Sequence, residues 1–230
     1  MVEIRILAGG AIAASMRAIA PGFERATGHR LAFFFGTTPV LIEEATSGST
    51  FDAAVMPHEA FSDAETRAQF RPTPLTDIAR VGLGLAVRAG AAKPDIATPD
   101  ALKAALLDAS SLATIPASAA GMQIMPLFER LGIADAMATR IRVKKTPPEV
   151  VEAVASGETE LAMFLANVFM SPDVELVTPF PAELQHEVVF AAAVATDTEH
   201  PRIAEEFLAY LKSPDAAAVI KERGMIPVAI

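Results

Sequence analysis

The chain has 230 residues, 52% of them apolar, enough for one large core or two smaller ones. Its net charge of −9 leaves no basic stripe to neutralise phosphates, which excludes nucleic acid as the main partner. With no cysteine there is no disulfide, no thiol nucleophile and no thiolate metal site.

The first element is an apolar strand, Ile4-Arg5-Ile6-Leu7-Ala8, which runs into Gly9-Gly10 and then a helix from about Ala11. Apolar residues at Ile12, Met16, Ile19 and Phe23 give that helix one buried face. The stretch 6–14 also has the length of the apolar part of a signal peptide. Glu3 offsets Arg5, however, and no basic cluster precedes it. The chain as given is therefore expected to be cytoplasmic, or periplasmic where a leader has been removed. No run approaches the roughly 18 apolar residues of a membrane span, so a membrane-embedded chain is not expected.

The same pattern repeats one strand later: Leu31-Ala32-Phe33-Phe34-Phe35, then Gly36-Thr37-Thr38, then a helix from Pro39. Backbone N–H groups and the helix dipole make such helix starts natural anion sites. A third strand at 52–56 ends at Pro57-His58-Glu59, and a short helix follows at 63–69. Beyond the rigid Arg71-Pro72-Thr73-Pro74 connector, 81–87 reads as a long buried strand. Gly82 and Gly84 are expected where another backbone passes closely.

The alternation then restarts. Thr98 caps a helix that has Pro99 at its first position. A strand at 112–115 leads to the small-residue turn 116–121 and a helix over 122–131, stopped by Gly132. Further strands are predicted at 141–144, 161–165 and 188–195, with helices at 147–155, 201–212 and 215–224. The strand at 161–165 ends at Ala166-Asn167.

This order predicts an α/β protein of two lobes, each a mainly parallel sheet flanked by helices. Residues 1–80 with 191–230 would form one lobe and 84–186 the other. Two crossing strands would form a hinge at 80–84 and 186–190. Ligands in such folds bind at the carboxyl ends of strands.

Several segments together resemble the type 2 periplasmic binding proteins, most closely their molybdate-binding branch. The carriers are Leu7-Ala8-Gly9-Gly10-Ala11, Phe35-Gly36-Thr37-Thr38 and Phe51-Asp52-Ala53-Ala54-Val55. Ala119-Ala120-Gly121, Phe128-Glu129-Arg130-Leu131-Gly132 and Gly157-Glu158-Thr159-Glu160-Leu161-Ala162 follow, and then Phe207-Leu208-Ala209-Tyr210-Leu211-Lys212-Ser213-Pro214. The resemblance implies a cofactor-free, monomeric solute-binding protein that holds a small anion in the interlobe cleft. It also implies an ABC permease as a partner.

At the ligand positions the pattern departs from molybdate binders. The first turn has Ala11 where the family places a serine, and Leu165 stands where it places a tyrosine. Thr37 and Thr38 keep their hydroxyls, and Ala120 keeps a small residue. The expected ligand is therefore an organic anion, such as a carboxylate, and molybdate or tungstate is disfavoured. Its expected contacts are Gly9, Gly10, Ala11, Thr37, Thr38, Ser118, Ala120, Gly121 and Asn167, with Arg80 as counter-charge.

No nucleophile elbow, phosphate loop or HExxH motif occurs, and the four histidines have no ligand-like spacing, so no metal site is expected. The branch has an enzymatic relative, aconitate isomerase. The alternative function is therefore isomerisation of an unsaturated di- or tricarboxylate with His58 as base.

Overall fold

A computed structural model of the chain describes residues 1–178 and 180–228. The chain divides into two compact units: Met1–Arg80 together with the chain from Val188 onward, and Val81–Glu187.

Unit 1 opens with β1 (Glu3–Gly9), a 3-10 turn (Gly10–Ile12) and α1 (Ala13–Thr27). The helix proper thus begins two residues later than predicted, because the chain leaving Gly9 first tightens into the 3-10 turn. Ile12, Met16, Ile19 and Phe23 are all buried, so the predicted stripe faces the core. Gly28 ends α1 in the left-handed region (φ 74°), and its N–H returns to the Glu24 carbonyl. Next come β2 (Arg30–Gly36), α2 (Thr38–Thr46), β3 (Ala53–Pro57) and α3 (Ala64–Ala68). Strand β4 (Thr76–Arg88) spans the boundary between the units, and β9 (Glu187–Val194) returns the chain to unit 1. Helices α8 (Pro201–Leu211) and α9 (Pro214–Glu222) follow, and then β10 (Ile226–Pro227).

β1 lies between β2 and β3 and is parallel to both, while β9 pairs antiparallel with β3. Phe23 fixes α1 and α8 on this sheet. Its buried ring meets Phe207 and Tyr210 edge-on, at centroid distances of 5.4 and 5.7 Å.

Unit 2 contains the remainder of β4, then α4 (Pro99–Asp108), β5 (Leu112–Thr114), α5 (Gly121–Arg130) and α6 (Ala134–Arg140). It continues with β6 (Ile141–Val143), α7 (Pro147–Ala155), β7 (Leu161–Leu165) and β8 (Val174–Val177). β5 is parallel to its neighbours β6 and β7, whereas β4 is antiparallel to both β7 and β8. Each unit therefore has a mixed sheet, in which a parallel set, β2-β1-β3 in unit 1 and β6-β5-β7 in unit 2, is extended by antiparallel strands. α6, β8 and β10 are short elements that the periodicity does not reveal.

Gly84 behaves as expected: a Cβ there would lie 3.0 Å from the Ala166 Cα and 2.8 Å from a Leu176 methyl. Gly82 does not. A Cβ there would meet the side chain of Gln185, not a backbone. That amide accepts from the Leu83 N–H at 2.7 Å and donates to the Leu83 carbonyl at 3.0 Å, so it substitutes for a neighbouring strand.

Helix α7 starts with a reciprocal cap. The Thr146 hydroxyl accepts from the Glu149 N–H, and the Glu149 carboxylate accepts from the Lys145 N–H at 3.0 Å and the Thr146 hydroxyl at 3.0 Å. The Lys145 N–H, then the Thr146 hydroxyl, hold the Glu149 carboxyl below the ordinary glutamate range. A carboxyl with a depressed folded pKa stabilises above its unfolded value and loses that contribution as pH falls through the folded one. Glu149→Gln is therefore expected to lower the urea midpoint at neutral pH, with the gap from the parent closing below the ordinary glutamate range. A gap independent of pH would overturn this assignment.

Candidate functional site

In unit 1 the parallel register sets Gly9 directly across from Gly36. The two glycine-ended strands therefore deliver their following turns side by side, about 4.8 Å apart. Gly9 is a packing requirement as well, since a Cβ there would lie 2.7 Å from the Phe190 ring. Gly10 and Ala11 form the start of the 3-10 turn before α1. Thr37 is the N-cap of α2 in extended geometry, but its hydroxyl makes no capping bond, and Thr38 is buried in the first turn of the helix. β1 is also where the strand order reverses, between β2 on one side and β3 on the other, the usual position of a ligand in open α/β sheets.

His58 follows β3 at this same end of the sheet and opens a 3-10 turn (His58–Phe61). It is exposed, and its Nε2 lies 4.0 Å from Asp77 Oδ1 at the start of β4. Arg80 is an exposed residue of β4, across from Ile226 of β10.

A residue that the sequence reading passed over stands beside the paired turns. Arg17, on the exposed side of α1, places its guanidinium over the Phe35 ring, 4.6 Å from the centroid. Phe35 immediately precedes Gly36. Nothing local to Arg17 in the sequence marks it; the contact exists because α1 returns across β2.

In unit 2 the end of β5 leads to a tight turn. The Ser118 hydroxyl donates to the Ile115 carbonyl at 2.6 Å and accepts from the Gly121 N–H at 3.0 Å. Met122 N–H then bonds Ser118 O, and both Gln123 and Ile124 bond Ala120 O. The Ser118 hydroxyl and the Gly121 N–H are thus engaged inside the turn. Among the described residues, the N–H groups of Ala117, Ala119 and Ala120 remain as its donors. Asn167 is buried in a 3-10 turn (Ala166–Phe169) after β7, which pairs parallel with β5, so it lies at the same end of the unit 2 sheet. Leu165 is buried at the end of β7 and offers no polar atom.

A concavity of unit 1 with a volume of about 380 Å³ includes Glu3, Arg5, Asp52, Asp197, Glu199 and His200. It lies at the amino ends of β1 and β3, opposite the turns, and its acidic lining does not suit an anion. Among the described residues no three histidine, aspartate or glutamate side chains gather as a metal site, and no helix is long and apolar enough to cross a membrane.

Residues 4–226 match the family described as bacterial extracellular solute-binding protein. The chain is 31% identical to aconitate isomerase from Pseudomonas over 235 residues, covering 99% of this chain and 89% of that protein. Among solved structures, it resembles the sulfate-binding protein SubI from Mycobacterium tuberculosis with a TM-score of 0.79. That match is 15% identical and covers 99% of this chain and 88% of the other. The periplasmic molybdate-binding protein of Azotobacter vinelandii gives a TM-score of 0.76 at 18% identity, covering 97% and 98%. These structures share the two-lobe type 2 periplasmic-binding-protein fold.

Proposed function

We propose, for a chain that belongs to the bacterial extracellular solute-binding protein family, that it captures a small organic anion bearing carboxylates. The carrying observation is the poverty of side-chain hydroxyls at the turns. Gly9, Gly10, Ala11, Ala120 and Gly121 have none, and the Ser118 hydroxyl bonds within its own turn. In unit 1 that leaves Thr37 and Thr38 as polar side chains beside the turn amides, too few to replace the full hydration shell of a tetrahedral oxyanion. A carboxylate needs fewer donors and brings carbon atoms that suit Val40, exposed in the first turn of α2. Docking to an ABC permease is part of the same proposal, by analogy with the family.

A ligand that binds only the folded chain at a hundred times its Kd stabilises it by about 2.7 kcal/mol. For a chain of this size that is a rise in Tm of about 5–10 °C. Tricarballylate and trans-aconitate are expected to give such a rise, and molybdate and tungstate none. Stabilisation by micromolar molybdate would overturn the carboxylate reading.

A second reading is supported by the likeness to aconitate isomerase along nearly the whole chain. His58 would remove a proton from a carbon next to a carboxylate and return it at the far end of the allylic unit. The turn amides would stabilise the enolate-like charge formed between the two steps. Incubation with trans-aconitate in heavy water would then give the cis isomer with deuterium incorporated. Unchanged turnover by His58→Ala would remove that residue from the role, and no turnover by the parent chain would leave capture as the function.

A further inference from the structure

We propose that Arg17 binds a second carboxylate of the ligand and thereby selects di- and tricarboxylates over monocarboxylates. The inference rests on the carboxylate reading above and assigns one residue of that site.

Arg17 lies one turn into α1. Side chains on a helix lean toward its N-terminus, so this one points back toward the 3-10 turn at Gly10–Ile12. The Phe35 ring beneath the guanidinium is itself stacked on Phe33, with centroids 5.3 Å apart and planes at 15°. Phe35 pairs across with Ala8, the residue before Gly9, and is followed directly by Gly36. The cation is therefore held over the last residues before both anion turns.

Its charge is also uncommitted. Arg5, Arg71, Lys93 and Lys144 each lie within 2.5–2.8 Å of a carboxylate oxygen. Arg17 has no ion pair or hydrogen bond among the described residues, in a chain with 28 acidic side chains. Stacking on an aromatic ring holds a guanidinium by its face and leaves its N–H edge available to a carboxylate fork. One carboxylate on the turn amides and another on Arg17 would make affinity depend on the number of carboxylates.

The test is calorimetric titration of tricarballylate into the parent chain, Arg17→Gln and Arg17→Lys. Arg17→Gln is expected to weaken binding at least tenfold, and Arg17→Lys to fall between the two, since it keeps the charge and loses the fork. Because Arg17 is exposed, the unliganded Tm of each variant should match the parent, which separates lost binding from lost folding. Arg17→Gln binding within twofold of the parent would overturn the role of Arg17 alone. A parent chain that binds no tricarballylate would overturn the carboxylate reading and this assignment with it.

Discussion

Gly121→Ala is expected to destabilise the chain by about 3 kcal/mol, the upper end for forcing extra volume into a packed site. An added Cβ would stand 2.0 Å from the Pro116 carbonyl oxygen and 2.4 Å from that of Ile115. Both obstacles are backbone atoms, and Ile115 O is also the acceptor of the Ser118 hydroxyl. Relief would require opening the turn, breaking the Ser118 bonds and moving the start of α5. The measurement is the urea midpoint, with an unchanged m-value showing that the loss is one of stability. Ala117→Ser, at an exposed position in the same turn, is the control and should change little. If Gly121→Ala matched the parent in stability, the turn described here would be wrong.

Phe23→Ala is expected to cost about 3–5 kcal/mol, the range for deleting a buried phenylalanine ring. Phe23 is fully buried and joins α1 to α8 through Phe207 and Tyr210. Neighbouring rings cannot collapse into the space without moving a helix. The two helices also approach closely at Gly22, where a Cβ would meet the Tyr210 hydroxyl. The urea midpoint again reports the effect, and Phe23→Leu, which keeps most of the volume, should lose much less. A loss below about 1.5 kcal/mol for the alanine variant, the level of volume-conserving swaps, would show that the helices repack freely.

Most of the fold was legible because its signals are local. The stripe Ile12, Met16, Ile19 and Phe23 reads as a helix face in any context, and all four are buried. Thr98 before Pro99 announces a helix, and its hydroxyl accepts the expected N–H from Ala101. The short elements were not legible. β10 is two residues long and exists through its pairing with Ala79 and Arg80, while β8 gains its hydrogen bonds from the far half of β4. Such segments have no propensity strong enough to stand alone, and long-range pairing stabilises them.

The candidate site divides in the same way. Glycines and threonines at strand ends mark Gly9–Ala11, Gly36–Thr38 and Ser118–Gly121 as turns before helices. Their chemistry follows from backbone amides that every such turn exposes. What each side chain does there was settled by neighbours. The Ser118 hydroxyl, which looked like a ligand donor, is held by the Ile115 carbonyl. Arg17, which nothing in its sequence neighbourhood marks, rests on Phe35 because β1 and β2 pair in register and α1 packs back across them. The sequence by itself determined where the turns fall, since helix starts and strand ends depend on a few adjacent residues. The tertiary structure alone decided which polar groups remain available at those turns, since that depends on contacts between segments far apart in the chain.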